Sequence, residues 1–320
     1  MAHTPAGIFA LFRPAPFPQR IWNRQLNVLN ERLTLKAGSL ALLTAILWGG
    51  NSVAIKIGLS GVPPIALAAA RFFCGGLAVL TWAMVSKISI RLQPGERRAL
   101  LFLVTLFIVQ IYTLNAGTHF TLAGRSTVFI SIYPFFTAFF AHIFIPGDRL
   151  SRLKVIGMVL SFVGVATIFG ESLAVGRLEH LPGDILVFTS GLLLGARQVY
   201  TKRLAQNIDP ARILLWQATL SLPIFIVASL LLEDHTSYQL TAEVIGAILY
   251  QGIIIAGFCF MVITVLLRKH RASRLGVFGF VTPVFGVVLS NILLGEGIST
   301  GLLVSMFLVG IGIAIVNYES

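Results

Sequence analysis

The chain has 320 residues, of which 56% are hydrophobic and only 11% are charged, and its mean hydropathy is +0.89. A soluble domain normally carries about 25% charged residues, so this composition excludes an ordinary soluble protein and indicates an integral helical membrane protein. The net charge of +12 does not predict nucleic-acid binding, because the basic residues lie at the ends of apolar segments, where membrane proteins place their topology signals.

Residues 1–38 precede the first long apolar run and are expected to form a basic cytoplasmic extension. Ile21, Leu29 and Leu33 fall roughly on one side of a possible amphipathic helix, which would lie in the membrane interface. An Arg-rich organelle transit peptide is another alternative. A cytoplasmic tail without fixed structure is the preferred interpretation.

Ten apolar runs of about 20 residues follow, and this length matches the roughly 30 Å hydrocarbon core of a bilayer. Five predicted spans lie in residues 39–170 and five in residues 183–317. In chain order, spans 1 to 10 are 39–58, 64–85, 100–120, 125–145, 152–170, 183–203, 211–232, 243–267, 273–294 and 300–317.

The Lys and Arg residues outside the spans and at their ends are distributed very unequally between the two sides of the predicted membrane. Nineteen lie in the N-terminal extension and the even-numbered loops, whereas the opposite side holds only Arg125 and Arg177. Because cytoplasmic loops carry the excess of positive charge, both termini are predicted to be cytoplasmic. A bacterial inner membrane is the expected location.

Two segments of the chain repeat each other, "RSTVFISIYPFF" at residues 125–136 and "RLGVFGFVTPVF" at residues 274–285. In the same repeat, Lys56 aligns with Lys202. Spans 1–5 therefore recur as spans 6–10, and an odd number of spans places the second copy in the membrane upside down. The predicted fold class is all-α integral membrane, with ten transmembrane helices as two inverted five-helix repeats. Such repeats are typical of secondary transporters that bind substrate near the midplane.

Pro134 and Pro283 occupy equivalent positions near the centres of spans 4 and 9. A central proline removes a backbone hydrogen bond and kinks the helix, and the freed carbonyl needs a new partner. Because the two prolines are symmetric, we expect them to act as hinge or gate residues, with plain packing kinks as the alternative.

The order of several short motifs resembles the ten-helix EamA-type branch of the drug/metabolite transporter superfamily. These motifs are "WGGNSVAIK" from Trp48, "AGR" from Ala123 and "LLGE" ending at Glu296, with "PGDRLS" from Pro146 in place of an LGERL-like sequence. The resemblance covers about residues 39–317. It implies a monomeric, pseudo-symmetric bundle that moves small metabolites, often outward, with spans 1–4 and 6–9 around the cavity and spans 5 and 10 bracing the outside.

Polar residues inside the spans are the candidates for contact with a solute. Arg71 lies about 10 Å inside span 2 at 1.5 Å per residue, where it either binds a substrate carboxylate or extends to the surface. Lys56 and Arg197 lie nearer span ends, and we expect their charges to reach the surface. Tyr112, Asn115 and His119 form a stripe in span 3 that is predicted to line a path. The candidate substrate-binding residues are Trp48, Asn51, Arg71, Gln110, Tyr112, Asn115, His119, Tyr133, Gln198 and Gln251.

Asp and Glu are absent from the middle of every predicted span. Proton-coupled pumps typically use buried carboxylates, so this absence favours transport driven by the solute gradient or by exchange. The amide and guanidinium candidates suit an amino acid or a similar zwitterion, and export of hydrophobic drugs or cations is the alternative. A membrane-embedded enzyme or a channel is a remote alternative, because no catalytic motif or ring of charge occurs. No metal, cofactor or catalytic residue is predicted.

Overall fold

The computed structural model describes residues 34–145, 150–174, 178–236, 238–270, 272, 275 and 277–318. Every regular element within these ranges is helical. Most of the N-terminal extension lies outside the described residues, as do Asp148 of the "PGDRLS" motif and Arg274 of the repeat.

The first half of the chain forms long helical segments, two of which are interrupted. The interruptions fall at Gly50 and at Ser131–Ile132. The helices are α1 (Leu35–Gly49), α2 (Asn51–Leu59), α3 (Pro64–Val85), α4 (Glu96–Phe120), α5 (Ala123–Ile130), α6 (Tyr133–Phe144) and α7 (Arg152–Ala174).

The second half contains further long segments, and two of these change their helical geometry along their length. A π-helical stretch, Tyr250–Cys259, joins α10 to α11, and a 3₁₀ turn, Val277–Phe280, precedes α12. The helices are α8 (Leu181–Ala205), α9 (Pro210–Leu232), α10 (Ala242–Leu249), α11 (Phe260–Lys269), α12 (Val281–Leu294) and α13 (Thr300–Tyr318).

Several helices begin where the sequence supplies a cap. The Thr34 hydroxyl accepts a hydrogen bond from Ala37 N (3.2 Å), and the Asp209 carboxylate accepts one from Ala211 N (2.9 Å). Proline occupies the first position of α3 and of α9, where its missing N–H would have had no intrahelical partner. The first span begins at Leu35 instead of the predicted residue 39, because Thr34 caps it.

Six helical segments in the described part of the chain are long and apolar enough to cross a membrane. They are Leu35–Leu59, Pro64–Val85, Glu96–Phe120, Ala123–Phe144, Pro210–Leu232 and Ala242–Lys269. The predicted all-helical fold is therefore confirmed for the described residues, and the six segments are consistent with an integral membrane protein. The full set of ten spans and the inverted repeat stay predictions.

The sequence predicted that Pro134 and Pro283 kink continuous α-helices. In the structure neither proline lies in the interior of a continuous α-helix. Pro134 is the second residue of α6 and follows the interruption at Ser131–Ile132, and Pro283 is the third residue of α12 and follows the 3₁₀ turn. A proline in the first turn of a helix leaves no intrahelical donor missing. Each proline therefore lies where one helical piece begins after a break.

The helices α7 and α13 pack closely along each other. At Gly312 the two helices approach closely, since a Cβ placed there would lie 1.9 Å from Ser161 Oγ and 2.4 Å from Gly157 O. Small residues that allow backbones to approach are the usual basis of helix packing in membranes. This pair contributes no residue to the cavity described below.

Candidate functional site

A cavity lies between helices from both halves of the chain, with about 480 Å³ of empty space that includes space open to solvent. The lining combines basic, amide, hydroxyl and aromatic side chains with apolar ones, and none of the lining residues in the described part of the chain is acidic. They are Trp48, Asn51, Ser52, Arg71, Gln110, Ile111, Leu114, Ile130, Ser131, Tyr133, Leu194, Arg197, Phe260 and Thr282.

The helix interruptions lie at the cavity wall. Trp48 and Asn51 flank the interruption at Gly50. Ser131 and Tyr133 lie at the interruption between α5 and α6. Phe260 directly follows the π-helical stretch, a geometry that is often found at functional sites. Within that stretch, Tyr250 Oη donates to Leu47 O at 2.5 Å. Irregular backbone at membrane depth is tolerated where it lines a cavity, so these breaks place polar groups around one space.

Arg71 projects from α3 into this cavity. Its side chain is only 1% exposed, so it does not extend to the surface, and of the two predicted roles only the inward one agrees with the structure. Its guanidinium carbon lies 5.1 Å from the ring centre of Phe72 and 5.9 Å from that of Phe260. Its Nε and Nη1 have no hydrogen-bond partner among the described residues. Arg71 is therefore a buried cation with donors available to a ligand.

Arg197 enters the cavity from α8 and contradicts the expectation that its charge reaches the surface. It is 6% exposed, and its guanidinium carbon lies 5.1 Å from the ring centres of both Phe107 and Phe260. Its Nε also lacks a hydrogen-bond partner within the described part of the chain. The prediction was wrong because α8 continues to Ala205, which places Arg197 two turns from the helix end.

Two amide side chains bring unpaired acceptors to the same wall. Gln110 Nε2 donates to Ser190 Oγ (2.9 Å), while Gln110 Oε1 has no donor among the described residues, and neither does Asn51 Oδ1. Both side chains are almost fully buried. Buried polar atoms normally find a partner, so these donors and acceptors around one cavity are available to a polar ligand or to water.

The sequence matches one known protein family twice along the chain. The model of the EamA-like transporter family matches residues 35–170 and again residues 181–318.

The chain belongs to the EamA-like transporter family. Relatives of this transporter carry transport names. "Uncharacterized transporter YvbV" of Bacillus subtilis is 27% identical over 88% of this chain and 92% of its own length. "Probable amino-acid metabolite efflux pump" of Salmonella typhimurium is 27% identical over 82% of this chain and 89% of its own length.

A solved crystal structure of a protein shares the fold of this EamA-like transporter. It has a TM-score of 0.69 and 19% sequence identity, and the match covers 89% of this chain and 99% of that chain. At this level of identity the likeness concerns the fold alone.

A second cavity of about 330 Å³ adjoins the first in this EamA-like transporter, because Trp48, Arg197 and Phe260 line both. The Trp48 ring lies 5.7 Å from the Phe260 ring and 6.2 Å from the Tyr133 ring, centre to centre. The residues of the second cavity are Trp48, Arg197, Gln198, Thr201, Leu214, Gln217, Phe260, Ile263, Thr264 and Leu267. Together the two cavities are lined by the helices of predicted spans 1–4 and 6–9, the set that the resemblance implied.

Six of the ten predicted binding residues line these cavities. Trp48, Asn51, Arg71, Gln110 and Tyr133 line the first, and Gln198 lines the second.

The remaining four predicted binding residues of the transporter do not line either cavity. Tyr112 and His119 are exposed on the outer face of α4, Asn115 Nδ2 donates to Pro64 O (3.0 Å), and Gln251 Nε2 donates to Ala54 O (2.9 Å). The stripe prediction was wrong because the cavity meets the neighbouring face of α4, which carries Gln110 and Leu114.

Arg197 and Phe260 are the principal site residues of the transporter that sequence reasoning missed. For Arg197 a signal was present, since Ser190, Arg197 and Thr201 fall on one side of α8 at helical spacing. Nothing local distinguished Phe260 among the many phenylalanines of the chain. Its role arises from two arginines that other helices bring to its ring.

Two glutamates of the EamA-like transporter contact the N-termini of helices on the same predicted side of the membrane. The Glu233 carboxylate accepts from Ile65 N (2.6 Å) and Ala66 N (2.9 Å), and the Glu296 carboxylate accepts from Ala123 N (2.7 Å) and Gly124 N (2.9 Å). Carboxylates are favoured at helix N-termini by the orphan amides and the helix dipole.

Lys56 lies on this side as well, where it is half-buried and its ammonium group reaches the end of α4 beside the exposed His119. Its Nζ donates to Thr118 O (3.1 Å), His119 O (3.0 Å) and Thr121 O (2.6 Å) at the end of α4. A cation there stabilises the C-terminal carbonyls.

Proposed function

We propose that this EamA-like transporter is a secondary transporter that exports a small zwitterionic metabolite, of the amino-acid class, by alternating access. The observation that carries the proposal is the combination of unpaired donors on Arg71 with unpaired acceptors on Asn51 and Gln110 around one cavity. A guanidinium suits a carboxylate through a bidentate hydrogen bond, and amide oxygens accept from an ammonium group. The name of the Salmonella relative, an amino-acid metabolite efflux pump, agrees with this class of solute.

The proposed mechanism rests on two inverted repeats of five helices, residues 39–170 and 183–317. Two separate matches to one family model support the duplication, and five predicted spans in each half imply opposite orientations. Inward-facing and outward-facing states would then be mirror versions of one packing arrangement and therefore similar in free energy. Pro134 and Pro283, at equivalent helix breaks, are the proposed hinges.

The remaining features of the proposal follow from charge. The unequal distribution of Lys and Arg supports cytoplasmic termini in a bacterial inner membrane. Transport is driven by the solute gradient or by exchange, because the described lining of both cavities contains no carboxylate to carry a proton. The protein works as a monomer with the lipid bilayer and the small-molecule substrate as its partners.

Export of hydrophobic drugs or cations is the second candidate. The aromatic wall of Trp48, Tyr133 and Phe260 favours it. The two buried guanidinium groups oppose a cationic substrate, since like charges repel strongly in a medium of low dielectric constant. An enzyme or a channel has less support, because the family and its named relatives are transporters.

Counterflow in proteoliposomes tests the proposal. Vesicles containing the purified protein are loaded with one unlabelled amino acid at a time and mixed with a trace of the labelled form. We expect saturable accumulation of label that protein-free vesicles lack. A flux proportional to concentration without saturation would indicate a channel, and no exchange of any amino acid would contradict the proposed substrate class.

A further inference from the structure

Arg71 and Arg197 differ from the other buried arginines in the described part of the chain. Arg125 pairs with Asp184, and Arg212 Nη2 lies 2.9 Å from Glu96 Oε1. Arg71 and Arg197 have no such carboxylate, and none of the described residues lining either cavity is acidic. Both guanidinium groups instead approach the ring of one residue, Phe260.

Aromatic rings alone do not balance these two charges. A charged side chain at membrane depth is costly, and a cation–π contact offsets that cost only in part. Two cations near one ring also repel each other. The site therefore has an excess of positive charge that an anionic ligand would neutralise.

The two arginines occupy different parts of the site. Arg71 lines only the first cavity, together with the unpaired amide oxygens of Asn51 and Gln110. Arg197 lines both cavities and lies at their boundary, next to Gln198 and Thr201 of the second. The first cavity thus has the groups for an α-carboxylate and an ammonium group, and Arg197 is placed for a second acidic group further along the solute.

We propose that Arg197 binds a second acidic group, so that the transporter selects acidic amino acids, with two carboxylates, over neutral ones. This inference rests on the proposed function and adds the charge of the solute to it. Arg197 is then a specificity-determining residue, while Arg71 binds the carboxylate that all amino acids share.

Glutamate and glutamine provide a matched pair of probes, because they differ little in size while only glutamate carries the second negative charge. In proteoliposome counterflow we expect the wild-type protein to exchange labelled glutamate at least about tenfold more efficiently than glutamine, as one charge-assisted hydrogen bond would allow. Arg197→Gln should bring the glutamate-to-glutamine ratio close to one. Arg197→Lys, which retains the charge without the planar fork, should keep part of the preference.

Arg268→Gln is the control, because it removes an equal charge from a half-exposed residue whose nearest carboxylate, Asp209, is 3.7 Å away. It should leave the ratio unchanged. Equal exchange of glutamate and glutamine by the wild-type protein, or exchange of neutral amino acids without glutamate, would overturn the inference while the proposed function stood. Exchange of glutarate as efficient as that of glutamate would support the second anion site but contradict a role for the ammonium group. The wild-type ratio decides the matter even if Arg197→Gln does not fold.

Discussion

Lys56 and Lys202 make equivalent contacts in the two halves of the chain. Lys56 Nζ donates to carbonyls at the end of α4, and Lys202 Nζ donates to Leu267 O (3.1 Å) and His270 O (2.8 Å) at the end of α11. Both contacts neutralise the partial negative charge of a helix C-terminus. The two lysines are also the pair that the sequence repeat aligns.

Replacing Lys202 should destabilise the protein. Lys202 is 1% exposed, so Lys202→Met would leave buried carbonyls without their donor. The free energy of unfolding should fall by about 1–3 kcal/mol, measured as thermal stability of the purified protein in detergent. Lys269→Met is the matched control, because Lys269 is exposed, and it should change the melting temperature little. Equal melting temperatures for both variants would show that the carbonyl contacts contribute nothing.

A methyl group added between α7 and α13 should also destabilise the fold. In Gly312→Ala the new Cβ would meet Ser161 Oγ and Gly157 O well inside contact distance, and overpacking of this kind costs about 1–3 kcal/mol. Gly246→Ala places the same change in another helix where nothing lies within 4 Å, and it should stabilise that helix by about 0.5–1 kcal/mol. Thermal melting of both variants checks the opposite signs, and a shift of the same sign in both would refute the packing argument.

Arg71→Gln should impair exchange of anionic and zwitterionic amino acids alike, with normal expression. The reason is that the variant loses the guanidinium that faces the unpaired amides of Asn51 and Gln110. Arg71→Lys should recover activity only in part, because Lys lacks the planar fork. Counterflow kinetics measure the effect. Unchanged kinetics in Arg71→Gln would remove Arg71 from the binding site.

The two prolines should bias the transporter in opposite directions. Pro134→Ala and Pro283→Ala each remove the ring that stops the preceding segment from continuing as an α-helix, and so let the helical pieces join. In the proposed inverted arrangement, joining the helical pieces of span 4 favours one of the two states, inward-facing or outward-facing. Joining the pieces of span 9 favours the other state. The double variant should lie nearer the wild-type balance than either single variant. Distances between spin labels at the two ends of the molecule would report these populations, and shifts of equal sign in both single variants would reduce the prolines to packing roles.

The orientation of the chain can be tested at Lys269. This residue is exposed at the end of α11, on the side predicted to be cytoplasmic. In intact cells, Lys269→Cys should resist a membrane-impermeant maleimide and become labelled after permeabilisation. The parent protein, whose Cys74 and Cys259 lie within apolar helices, sets the background. Labelling from outside would reverse the proposed topology.

The sequence by itself determined the class of the protein and the position of its helices. Hydropathy and length are local properties, so predicted span 2 coincides with the observed helix Pro64–Val85. Local information also placed Trp48, Asn51 and Arg71 among the residues of the site, because a polar group at membrane depth needs a partner or a cavity.

Only the tertiary structure decided which helix face meets the cavity. Helical periodicity shows that Tyr112 and Asn115 share one side of α4, but the packing of α8 against α4 turns the side with Gln110 and Leu114 inward. The meeting of Arg71 and Arg197 at Phe260 was likewise invisible in the sequence. It depends on three helices that are distant along the chain, and the free energy of such a contact depends on the arrangement of all three and not on the residues near any one of them.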